Sequence, residues 1–219
     1  MGGEVELAAK AAGDALAALT EASGALGPPQ RFWEAVASGI HYHFLPRTIK
    51  QAMAAAEKIR RSGLPEHAYS ELDDKLLRAI LTNGATEGNG CMQERWANLL
   101  ANALTDGSAR VDRTFPEILN RLEPIEAATL DDLADQANFS QSPEEQEFRP
   151  EQLQRAGMDG VGLDNLVGLG LLRYTREMAA TSGMISDAGT TVAGASFTNL
   201  GWAFVQACRA PSGTEHPAA

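Results

Sequence analysis

The sequence predicts a mainly α-helical protein: an N-terminal helical unit followed by a winged-helix-like α+β C-terminal domain with a small two-stranded wing. Three observations predict it. Alanine is abundant and aromatic residues make up only 6% of the 219 residues, which favours helices packed through small side chains over a β-sandwich. Apolar residues recur at three- and four-residue spacing along much of the chain. Towards the C-terminus the elements change to helix, helix, helix, strand, long loop, strand, helix, the order of a winged-helix domain. The reading divides the chain into an N-terminal helical segment 1–45, a helical domain 46–110, a winged-helix-like domain 111–209 with an acidic loop 138–150, and a disordered tail 210–219.

Residues 4–26 read as a helix whose face of Leu7, Ala11, Ala15, Ala18 and Ala22 is shallow, ending before Pro28-Pro29. Phe32, Trp33, Val36 and Ile40 form a second short stripe. A helix over 46–61 carries Arg47, Lys50, Lys58, Arg60 and Arg61. With Lys75 and Arg78, residues 41–80 hold seven cations against five acids, the one basic region of the chain. It reads first as a solvated helix face with cations near the helix C-terminus, and alternatively as a phosphate or acidic-partner site.

The run from Tyr69 to Leu81 places Leu72, Leu76, Leu77, Ile80 and Leu81 on one face, and Asn83-Gly84 with Gly88-Asn89-Gly90 bracket a turn. The clearest helix follows, with Met92, Trp96, Leu99, Leu100, Ala103 and Leu104 on one stripe and Glu94, Arg95, Asn98 and Asn102 opposite. Thr114-Phe-Pro-Glu117 has the form of a capping box ahead of a helix through Leu119 and Leu122. Residues 124–136 then carry Ile125, Ala128, Leu130, Leu133 and Ala134 against an acidic face of Glu126, Asp131, Asp132 and Asp135. The segment Leu163 to Leu172 reads as a helix closed by glycine, with Leu172-Arg-Tyr-Thr175 as a strand and a Gly/Ser/Thr-rich loop over 179–190. A returning strand over 191–197 and a short helix with Trp202 and Val205 facing in complete the order.

Charge and motifs narrow the function. Eighteen Lys plus Arg against 29 Asp plus Glu give a formal charge of -11, which repels phosphate backbones and disfavours nonspecific nucleic-acid binding. Residues 111–150 hold ten acids against three arginines. No stretch of 18 apolar residues, no basic leader and no lipidation signal is evident, so the expected location is the cytoplasm, without stable membrane anchoring. Phosphate-loop, zincin, C-x-x-C and G-x-S-x-G patterns are missing from the sequence. The pair His41 and His43 would share a face only on a strand and is a weak metal candidate. Cys91 and Cys208 read as small buried apolar groups, and Glu87 and Glu94 as a cap and a solvated face. Residues 151–219 hold four arginines against six acids, so Arg173 and Arg176 are the possible interaction residues of a weakly DNA-binding or protein-binding wing.

One segment, Glu87 through Leu104 with Met92-Gln-Glu-Arg-Trp96-Ala-Asn98-Leu99-Leu100-Ala-Asn102-Ala, resembles the signature of the abortive infection alpha family. The likeness extends through Phe115 to Ala127, Leu163 to Leu172 and Phe197 to Cys208, covering roughly residues 45–209. The resemblance implies a bacterial protein linked to phage defence, in which an infected cell stops growing before progeny mature. It carries over no catalytic, cofactor-binding or metal residue. Glu87, Trp96, Asn98, Leu99 and Leu100 are motif positions expected to be structural, with the asparagines capping or bonding a neighbouring turn. The expectation is therefore a non-enzymatic protein without cofactor, acting through a protein partner or self-association. The alternatives are a winged-helix DNA-binding regulator and a membrane-perturbing toxin using residues 4–26.

Overall fold

The computed structural model describes residues 45–64, 73–105, 110–137, 147–157, 159–175 and 194–211. The readings of helices within 1–44, of His41 and His43, of Arg176, of the 179–190 loop, of most of the acidic loop and of tail residues 212–219 lie outside them. The described part is mainly helical with a small two-stranded antiparallel sheet. The described residues fall into two compact units, those within 1–120 and 207–211 in the first and those within 121–206 in the second.

In the first unit, α1 (Leu45–Ser62), α2 (Asp74–Thr86) and α3 (Gly90–Leu104) each pack against the other two. Their ends follow from local chemistry. Gly63, at φ 66, closes α1. Asp73 caps α2 by accepting from the amides of Lys75 and Leu76, and Asn89 caps α3 by accepting from Cys91 and Met92. The Asp73 carboxylate also receives the Arg113 guanidinium, which holds it below the usual carboxylate range. Ile80, Leu81, Trp96, Leu99 and Leu100 are at most 2% exposed and fill the space between the helices.

Several positions differ from their sequence reading. Asn83 and Gly84 lie inside α2 instead of in a turn. A Cβ at Gly84 would stand 2.5 Å from the Gln51 side-chain amide of α1, so a larger residue there requires that amide to move. Cys91 is exposed, because it occupies the first turn of α3 ahead of the buried stripe, while Cys208 is buried. Thr114 opens no capping box with Glu117; its hydroxyl and amide both donate to Asp112 Oδ1 at 2.9 Å before α4 (Phe115–Arg121). Those two bonds from Thr114 hold the Asp112 carboxyl below its ordinary range.

The second unit contains α5 (Pro124–Gln136), α6 (Pro150–Arg155), α7 (Gly160–Gly168), β1 (Leu172–Tyr174), β2 (Ala195–Phe197) and most of α8 (Asn199–Cys208). β1 and β2 pair antiparallel in the register Leu172↔Phe197, Arg173↔Ser196 and Tyr174↔Ala195. A bridge that the sequence did not suggest joins Phe148 to Ala195, with the two amides donating to each other's carbonyls at 2.7 and 2.9 Å. β2 thus lies between Phe148 and β1.

Gly170, at φ 74, ends α7: its amide reaches Val167 O and that of Leu171 reaches Leu166 O, both at 2.9 Å, the Schellman pairing. The Thr198 hydroxyl caps α8 by accepting from Gly201 N at 2.9 Å. A Cβ at Gly201 would fall 1.9 Å from Leu171 O, so only glycine lets α8 start this close to the chain leaving α7. Phe197 stands edge-on to both Phe148 and Trp202 at 5.6 Å, over a core that includes Leu130, Leu133, Leu163, Leu166 and Leu171.

The phase of α5 differs at its first turn. Ile125 is 60% exposed and Glu126 is 6% exposed, the reverse of the face assignment from the sequence. Glu126 is turned inward because its carboxylate accepts from Glu123 N at 2.9 Å and from Asn165 Nδ2 of α7 at 2.8 and 2.9 Å.

Candidate functional site

The motif block of residues 87–104 runs into and along α3. Trp96, Leu99 and Leu100 sit on its buried stripe, all at 1% exposure or less. Asn98 and Asn102, expected on the opposite face, are buried as well, at 7% and 3%. Being four residues apart, they share one face of the helix. Asn98 Nδ2 donates to Cys208 O at 2.8 Å, and Asn102 Nδ2 donates to Ala207 O at 2.9 Å and Arg209 O at 2.8 Å. The terminal carbonyls of a helix have no partner within it, and here two side-chain amides supply the donors for the end of α8. Glu87, the remaining motif residue, ends α2 and accepts from Asn89 N at 2.6 Å, tying the α2 end to the cap of α3. These residues are spent on packing and on helix ends.

A different set of side chains forms a concavity on the first unit, a cleft of about 360 Å³. One wall is the face of α1 defined by Arg47, Lys50, Gln51, Ala54, Glu57, Lys58 and Arg61, which recur at helical spacing. The other is the first two turns of α3 through Gly90, Gln93, Glu94 and Ala97, and Gly84 of α2 contributes to the lining. Alanine and glycine where the helices approach leave the hollow, and the long side chains rim it.

The electrostatics are uneven. Lys58 Nζ lies 3.2 Å from Glu94 Oε1, an ion pair linking α1 to α3. Arg60 and Arg61 both bond Glu57, at 2.7 and 2.8 Å, and the Arg60 bond foremost lowers the Glu57 carboxyl below its usual value. Arg47 and Lys50 are exposed and have no partner among the described residues. Four cations against two carboxylates leave the lining with a net positive charge, on a chain whose formal charge is -11. Gln51 is 7% exposed; its Nε2 reaches Ile80 O and Trp96 O only at 3.4 and 3.5 Å, and its Oε1 has no partner. A buried amide with an unmet acceptor is costly, and this one belongs to the lining of the cleft.

Sequence reasoning found the cations of this site and missed its hollow, Gln51 and Gly84. The signal available was the three- and four-residue spacing of Arg47, Lys50, Gln51, Ala54, Lys58 and Arg61, which places a polar amide and a small residue on the cationic face. Arg173, on β1, is exposed and its Nε donates to Ser196 Oγ at 3.0 Å. Tyr174 beside it donates to Asp164 of α7, and that bond raises the phenol pKa above its ordinary value. Among the described residues, no group of three or more His, Cys, Asp or Glu side chains is placed to hold a metal ion. No described helix is long and apolar enough to cross a membrane.

The profile of the family described as abortive infection alpha matches residues 47–208. The chain belongs to this family. Membership in abortive infection alpha connects it to the arrest of phage infection, and the matched span takes in the cleft cations, the motif helix and the strand pair. No curated protein and no solved structure matches the chain.

Proposed function

We propose that the chain is a bacterial, cytoplasmic phage-defence protein that acts without catalysing a reaction, through contacts with a protein partner or a second copy. The observation that carries this reading is the use made of the family motif. Trp96, Leu99 and Leu100 fill a helical core, and Asn98 and Asn102 hold the end of α8. A signature spent on architecture is what a scaffold for recognition requires; a signature built around a reaction would place reactive groups in a cleft.

The second unit is read as winged-helix-like. In support, α5, α6 and α7 precede the β1–β2 pair, and the Phe148↔Ala195 bridge supplies the third strand position between α5 and α6. A contact role for this unit is favoured over DNA reading because α7 (Gly160–Gly168), where a recognition helix would lie, carries Asp164 and no Lys or Arg. The test is turnover. Purified protein incubated with nucleotides, single- and double-stranded nucleic acid is expected to leave all of them intact. Hydrolysis whose rate is abolished by one point substitution would contradict the reading.

A further inference from the structure

The geometry points to the α1–α3 cleft as a binding site for a small phosphomonoester, held by Arg47 and Lys50. Three features of the cleft select that chemistry. Its lining carries four cations and two carboxylates, and the ion pairs Lys58–Glu94 and Arg61–Glu57 account for both carboxylates, so Arg47 and Lys50 remain to meet an incoming charge. A phosphomonoester carries about -1.5 to -2 charges near neutral pH, matching the two cations left over. Arg47 offers a planar fork and Lys50 a mobile point charge, a combination suited to a tetrahedral oxyanion.

Size and setting narrow it further. The cleft volume of about 360 Å³ accommodates a small molecule and falls at the lower end of ligand pockets, which run from about 300 to 1,000 Å³. Gly90, the first residue of α3, lines the cleft without a side chain, and the amides of Cys91 and Met92 behind it are already taken by the Asn89 cap, so the anion is left to Arg47 and Lys50. The formal charge of -11 over the chain opposes the long run of phosphates that a nucleic acid would bring.

The experiment is calorimetric titration of the full chain at low salt with four probes: adenosine monophosphate, inorganic phosphate, adenosine and a single-stranded oligonucleotide. Adenosine monophosphate is expected to saturate one site per chain, inorganic phosphate to bind the same site more weakly, and adenosine to bind at least tenfold more weakly than its monophosphate. The double variant Arg47→Glu with Lys50→Glu is expected to lose at least tenfold in affinity for adenosine monophosphate. Arg78→Glu, on the exposed part of α2 and outside the cleft, should stay within twofold of the parent. Because Arg47 and Lys50 are exposed, the double variant should keep the parent's circular dichroism and melting profile, separating lost binding from lost fold. Four results overturn the proposal: no saturation by adenosine monophosphate, equal binding of adenosine, unchanged affinity in the double variant, or an equal loss in Arg78→Glu. Tighter binding of a single-stranded oligonucleotide than of the monophosphate overturns it in favour of a nucleic-acid groove. Since binding is measured on purified protein, this site and the defence role fail separately.

Discussion

Asn98 and Asn102 differ in what they accomplish, although each is an asparagine on the same face of α3. Asn102 serves two carbonyls, those of Ala207 and Arg209, while Asn98 serves that of Cys208 and leaves its own Oδ1 buried without a partner. Removing Asn102 takes away two donated hydrogen bonds and removing Asn98 takes away one while relieving an unmet acceptor, and a buried group left unsatisfied costs about 1–3 kcal/mol. Asn102→Ala is therefore expected to lower the urea midpoint of unfolding clearly, and Asn98→Ala to lower it less. Equal losses, or a larger one for Asn98→Ala, would show that the amides do not hold the helix end as described. This role was only half legible in the sequence. The periodicity of Met92, Trp96, Leu99 and Leu100 marks a buried stripe, and it assigns polar residues in between to solvent. The carbonyls that make burial of the two amides favourable lie 105 and 110 residues further along, beyond anything spacing can convey. Glu126 was misplaced for the same reason, because its partner Asn165 is 39 residues away.

Among the elements, α2 shows how tertiary packing overrides a local signal. Asn83-Gly84 is a turn dipeptide by composition, yet it continues the helix to Thr86, packed so that the Gln51 side chain of α1 fills the place where a Cβ would be. An interior helix glycine costs about 1 kcal/mol relative to alanine, and here steric room outweighs that gain. Gly84→Ala is expected to destabilise the protein by up to about 2 kcal/mol in chemical unfolding, an overpacking cost of about 1–3 kcal/mol less the helix-propensity gain of about 1 kcal/mol. In a Gln51→Ala background the same substitution should become neutral or stabilising, since the obstructing amide is gone. A Gly84→Ala change that stabilises the unaltered protein would place the contact elsewhere. The cleft is an element-scale feature too: one wall is a cationic stripe that the sequence displays openly. The other wall comes from α3, 36 residues beyond where Lys58 pairs with Glu94, so depth could not be read from the stripe alone. The β pairing was legible as to its two strands, from the β-prone residues after Leu172 and before Thr198. The Phe148 bridge was not, because a single paired residue leaves no alternation to detect.

For the molecule as a whole, the account joins a helical first unit, whose family motif builds its core, to the family's association with arrested phage infection. Helical class, the position of the strand pair and the family itself were within reach of the sequence, because they rest on local spacing and on a contiguous block around Trp96. The long-range bonds and the hollow of the cleft were not, because they depend on which helices meet. The central claim is that this chain defends a cell against phage, and the most direct measurement is phage challenge of a susceptible bacterial host expressing it, against an empty vector. The account predicts fewer plaques across part of a varied phage panel, with culture collapse at high multiplicity of infection and survival at low multiplicity. Equal plaque counts and equal survival for every phage in the panel would contradict it.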